Sequence, residues 1–116
     1  MKKLILGCAM LMAGQAQAGW LTAGGSIDAI TVYANTNTIL VTLQAGTSNL
    51  TNNCTTKAPI LAISADLPEE RRNRMYSMLL AKKASGQAVS LAYDPAAACE
   101  PWNANSSAYS RIERMY

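Results

Sequence analysis

The stretch "APILAISADLPEERRNRMYSMLLAKKASGQAVSLAYDP", residues 58–95, decides the fold because its hydrophobic period changes twice. Residues 58–64 form a short, continuous apolar run containing β-branched Ile60 and Ile63, which suits a strand buried on both faces. Pro59 stands at its start, where a missing amide donor is tolerated. The spacing then becomes helical. Asp66 is expected to cap the free amides, with Pro68 in the first turn and Glu69 three residues after the cap. Glu69 and Glu70 suit the positive end of the helix dipole, and Lys82 and Lys83 suit its negative end. Met75, Tyr76, Leu79 and Leu80 make the apolar stripe, with the stems of Arg72 and Lys83 extending it. Such a stripe reads as core packing before it reads as a ligand site. Gly86 stands where a left-handed stop is wanted, and residues 87–93 then alternate Val89, Leu91 and Tyr93 on one face of a strand.

Working outward, residues 26–34 and 38–44 read as a hairpin, because apolar and β-branched residues alternate on both sides of Asn35-Thr36-Asn37. Residues 46–56 are polar and turn-forming, a long exposed loop that reaches Cys54. Residues 94–107 form a second long loop carrying Pro95, Cys99, Pro101 and Trp102. Residues 108–116 close the chain as a strand, with Ile112, Arg114 and Tyr116 opposite Tyr109, Arg111, Glu113 and Met115. The order is β-β-β-α-β-β, mostly β with one helix. That is the layout of a small OB-fold-like barrel, and an open α+β sheet with a helix on one face fits the same order.

The N-terminus reads as a secretory signal peptide over residues 1–18, with residues 19–116 as one small domain. Lys2 and Lys3 precede an apolar stretch from Leu4 to Ala13, too short to span a bilayer, and Ala16-Gln17-Ala18 is a signal-peptidase site. Cys8 raises a lipoprotein reading, against which Leu6 stands where a small residue is usual. Loss of the leader leaves eight basic residues against seven acidic ones, a near-neutral chain without the basic stripe of a nucleic-acid binder. It also leaves two cysteines, Cys54 and Cys99, in an oxidising compartment, periplasmic or extracellular. An even pair there reads as a disulfide. With no second apolar run of bilayer length, no membrane span is expected.

Residues 76–95 carry a resemblance. A tyrosine in the helix (Tyr76), the stop Ser85-Gly86-Gln87 and a strand with Val89, Leu91 and Tyr93 resemble the binding subunits of A/B bacterial toxins of the subtilase-cytotoxin and typhoid-toxin type. Ile63-Ser64-Ala65-Asp66 is similar to the end of the strand that precedes that helix. The resemblance implies an OB-fold, a ring of five subunits and glycan binding without catalysis. It transfers no glycan-binding residue, because the N-terminal half of this chain has no aligned counterpart and its cysteines sit differently.

The chain has no histidine, which removes the commonest general base and every Ser-His arrangement. Asp28, Asp66, Glu69, Glu70, Asp94, Glu100 and Glu113 form no recognisable motif, and two cysteines without histidine cannot complete a usual zinc set. Neither catalysis, cofactor nor metal is expected. A sugar site needs an aromatic face ringed by amides and hydroxyls, and Trp102 with Asn103, Asn105, Ser106 and Ser107 supplies one. Asn35 and Asn37, on the first hairpin turn, flank the same end of an OB barrel. The competing role for Trp102 is to plug that end beside the disulfide. A glycan-binding module and an envelope interaction protein, an inhibitor or immunity-type partner, are therefore the two functional expectations. In a ring, the helix face carrying Arg71, Arg74, Met78 and Ala81 would line a pore, and in a monomer it is solvated surface.

Overall fold

The computed structural model describes residues 19–116, so the leader and Cys8 lie outside the described residues. Among the described residues seven strands and one helix follow in the order β1 (Leu21–Val32), β2 (Ile39–Leu43), β3 (Ile60–Ile63), α1 (Glu69–Ser85), β4 (Ala88–Tyr93), β5 (Glu100–Trp102), β6 (Asn105–Arg111) and β7 (Arg114–Met115). The fold is mostly β with one helix between the third and fourth strands. Among the described residues no helix is long and apolar enough to cross a membrane.

The strand order is β5-β6-β3-β2-β1-β4-β7. β1 starts five residues earlier than the alternation suggested, because Gly24 and Gly25 interrupt the β-branched pattern without ending the strand. Its first half pairs with β4 (Gly25 opposite Val89) and its second with β2 (Ile30 opposite Val41), with an irregularity between Ile27 and Ala29. Gly25 sits where the strand passes from one partner to the other, at φ +156, and a Cβ there would lie 3.0 Å from Thr47 Oγ1. A glycine at a strand bend serves this purpose, since no side chain obstructs the close approach.

The last strand is broken where a single strand was expected. Ile112 donates its amide to Ala62 of β3 (2.8 Å), whereas the next residue, Glu113, donates to Ala92 of β4 (2.7 Å). The terminal segment therefore leaves β3, with which β6 runs parallel, and joins β4 through β7 within one residue. Side-chain alternation slips at this point. Ala108, Ser110 and Ile112 are buried before it and Met115 after it. Arg114 and Tyr116, expected to share a face with Ile112, are exposed instead. The 94–107 segment is likewise not all loop. β5 and β6 form a hairpin with Trp102 opposite Asn105, turning through Asn103, which is left-handed at φ 52. Asparagine tolerates that conformation.

The core is built from Val41, Leu43, Leu61, Ile63, Leu79, Val89 and Leu91, with Leu50 reaching in from the connection between β2 and β3. Leu50 and Cys54 are buried, so the 46–56 segment is not wholly exposed. Helix α1 rests on this core through Leu79, its one buried residue, with Met75 packed beside it. Leu80, expected in the stripe, is 45% exposed because it lies a full residue step around the helix from Leu79. The expected Asp66 cap is also absent. Pro68 occupies the cap position without a side-chain bond, and its carbonyl accepts the amides of Arg71 and Arg72. Asp66 is engaged elsewhere, by Arg111. The helix stop is as expected. Gly86 is left-handed (φ 71), its amide donates to Lys83 O, and the Gln87 amide donates to Lys82 O. A disulfide joins Cys54 to Cys99.

Candidate binding cleft

The turn between β1 and β2 meets the hairpin of β5 and β6. The connection from β1 to β2 supplies Tyr33, Asn35 and Thr36, and the hairpin supplies Pro101, Trp102 and Asn103. Together these six residues line a cleft of about 480 Å³. Tyr33 and Trp102 meet edge to face at 4.7 Å between ring centroids, and Tyr109 of β6 supports Trp102 from another side at 5.9 Å. Aromatic pairs favour this arrangement, which leaves ring surface available while fixing the rings. Tyr33 is 42% exposed and Trp102 is half-buried. Trp102 is thus partly a packing residue and partly a wall of the cleft.

The cleft brings together three of the seven polar and aromatic residues expected at a site, Trp102, Asn103 and Asn35, while Ser106 and Ser107 are exposed outside it. Asn37 is exposed outside the lining. Asn105 is used within the fold. Its Nδ2 donates to Thr55 Oγ1 (3.1 Å) and its Oδ1 accepts the Ser107 amide (2.9 Å). Tyr33 and Thr36 were not anticipated as site residues, although Tyr33 adjoins the turn that holds Asn35, a proximity readable from the sequence. The lining is neutral: amides, a hydroxyl, a phenol and an indole. It offers hydrogen bonds and ring faces and supplies no nucleophile paired with a base.

Directly behind the cleft lies a buried carboxylate. Glu100 is 2% exposed, and three donors converge on it. Thr38 Oγ1 (2.7 Å) and the Ala65 amide (2.9 Å) donate to Oε2, and Arg111 Nε (2.8 Å) donates to Oε1. The Arg111 guanidinium also reaches Asp66 at 3.0 Å. Burial alone raises the Glu100 carboxyl. Hydrogen bonds from the Ala65 amide, Thr38 and Arg111, with the Ser64 hydroxyl beside them, together outweigh it and hold the group below its ordinary value. Among the described residues no buried side-chain nitrogen or oxygen lacks a partner. No group of three or more histidine, cysteine or acidic residues among them is placed to hold a metal.

A second, polar cavity of about 310 Å³ lies between β1 and the 46–50 turn, over Tyr93. Its tyrosine hydroxyl already accepts the Thr51 amide at 3.2 Å. On another surface, the Arg114 guanidinium lies 5.6 Å from the Trp20 ring and 5.3 Å from the Tyr116 ring. Comparison of the chain with protein-family models, with curated proteins and with solved structures finds no match.

Proposed function

We propose that the chain is an exported, non-catalytic binding protein built on an OB-like barrel, and that it takes a glycan in the cleft between Tyr33 and Trp102. One observation carries this reading: two fixed, partly exposed aromatic rings stand beside Asn35, Thr36 and Asn103 in a neutral cleft of about 480 Å³. A pyranose presents an apolar face for a ring and equatorial hydroxyls for amides, and the cleft offers both partners at that scale. Support for the barrel comes from β1, shared between β2 and β4, and from the terminal segment bonded to β3 and then β4. The Cys54–Cys99 bridge fits an oxidising, exported setting.

Oligosaccharide-array screening of the oxidised protein tests the reading. Trp102→Ala is expected to abolish array binding while leaving the far-UV spectrum unchanged. Array binding that survives Trp102→Ala removes the cleft from the site, and a wild-type protein that binds no oligosaccharide removes the glycan.

A second reading, an envelope interaction protein, is favoured by Trp20, Arg114 and Tyr116. Two exposed aromatic residues bracketing an arginine, with Leu21 also exposed, have the composition of a protein interface. The toxin-like form of the first reading adds a homopentamer, in which the exposed helix face with Arg71, Arg74, Met78 and Ala81 lines the centre. Light scattering separates the two, a five-fold mass supporting the ring and a monomer supporting the partner-binding module.

A further inference from the structure

We infer that Glu100 is a positioning residue for the cleft: its buried carboxylate, bonded to Thr38 behind one wall and carried on the strand that forms the other, sets the gap between Tyr33 and Trp102. The inference rests on the reading of this cleft as the binding site. The linkage is short. The Thr38 amide donates to Thr36 Oγ1 at 3.2 Å, so Thr38 fixes a lining residue of the first wall. The Thr38 hydroxyl donates to Glu100 Oε2 at 2.7 Å, and Glu100 leads directly into Pro101 and Trp102 of the second wall. Among the described residues this is the one hydrogen bond that joins the 33–38 turn to β5.

The chemistry requires a carboxylate. Three donors point at two oxygens, so an amide in its place turns an N–H toward either Arg111 Nε or the Thr38 and Ala65 donors. A protonated carboxyl has the same conflict, relieved only if the Thr38 hydroxyl rotates to accept. That rotation reverses the Thr38–Glu100 bond and exchanges a charge-assisted contact for a weaker neutral one, loosening the link between the walls. The charged and titratable groups around Glu100 are Arg111 of β6 in direct contact, Asp66 before α1 on the far side of that guanidinium, and Tyr109, paired with Glu100 across the hairpin. The ion pair holds the second wall, and the Thr38 bond transfers its position to the first.

The chain has two tryptophans, so Trp20→Phe isolates the emission of Trp102. In that background Thr38→Val is expected to shift Trp102 emission to the red and raise its quenching by acrylamide, with Thr38→Ser restoring the parent values and far-UV spectra unchanged. Binding to array-positive oligosaccharides should fall at least about tenfold in Thr38→Val, as expected for loss of a hydrogen bond to a charged group. Glu100→Gln should show the shifted emission at neutral pH, and the parent should reach it reversibly on acidification. If Glu100→Gln does not fold, Thr38→Val decides alone. Unchanged Trp102 emission in Thr38→Val, or undiminished array binding, overturns the positioning role while leaving the glycan reading standing. Shifted emission in Thr38→Val, with a parent protein that binds no oligosaccharide, supports the linkage and overturns the glycan reading.

Discussion

The Glu100 carboxylate is a buried charge held by Thr38, the Ala65 amide and Arg111. In the sequence it is one acid among seven, beside a cysteine and a proline, with nothing in its spacing to mark it. In the fold it is nearly inaccessible and saturated with donors. Its partners come from the turn before β2, the β3–α1 connection and β6, so only the tertiary structure assembles them. Its folded-state pKa lies below the unfolded value, which fixes the sign of its pH dependence. The stabilisation is fully present above the ordinary carboxylate range, about pH 4.3, and is lost as pH falls through the folded value. Urea unfolding at pH 7 and pH 3 should therefore show a smaller acid-induced loss in Glu100→Gln than in the parent. An equal loss in both would place the acid sensitivity in other carboxylates. Arg111→Ala leaves the buried charge with neutral donors only. Since Arg111 is partly solvated, we expect a cost of about 2–3 kcal/mol in urea midpoint analysis, below that of a fully buried pair.

Helix α1 was legible at one end and misread at the other, for a physical reason. Its C-terminus depends on local backbone chemistry, a left-handed glycine and two amide bonds across the last turn, which the sequence around Gly86 encodes. Its N-terminus starts later than Asp66 implies: Pro68 takes the cap position without a side-chain bond, and Asp66, two residues before it, pairs with Arg111 from a distant part of the sequence. The apolar stripe was narrower than the composition suggested, because the helix rests on the sheet through a single buried leucine. The difference between adjacent leucines is measurable. Leu79→Ala should cost about 3 kcal/mol by opening a cavity in the core, whereas Leu80→Ala should change stability by less than about 0.5 kcal/mol. Gly86→Ala meets no atom within 4 Å, so its cost is backbone strain alone, about 1 kcal/mol in the same denaturation assay. A cost of several kcal/mol there would mean that the helix stop is packed rather than merely turned.

At the scale of the whole molecule, strand–strand–strand–helix–strand order follows from alternation and turn chemistry, but the closure of the chain does not. The slip between Ile112 and Glu113 exchanges one strand partner for another, and a uniform alternation through residues 108–116 conceals it. The hairpin at Trp102 was concealed similarly, since prolines and asparagines in that segment read as loop until Asn103 is seen to be the turn. The disulfide ties these late elements to the middle of the chain. Cys54 belongs to the connection between β2 and β3, and Cys99 immediately precedes Glu100 and the cleft wall. Two further links reinforce the junction: the Thr55 and Thr56 amides donate to Ser107 O and Ala108 O of β6. Closing a loop with a sequence separation of 45 restricts the unfolded chain, and on chain-entropy grounds the bridge should stabilise by about 3–4 kcal/mol. Cys54→Ala/Cys99→Ala should lose that amount in urea unfolding at neutral pH. Because the bridge abuts the carboxylate behind the cleft, the double variant should also shift Trp102 emission before the global transition, in the Trp20→Phe background. Coincident loss of Trp102 signal and far-UV signal would instead mean that the cleft wall is held by the sheet and that the bridge acts only on the unfolded chain.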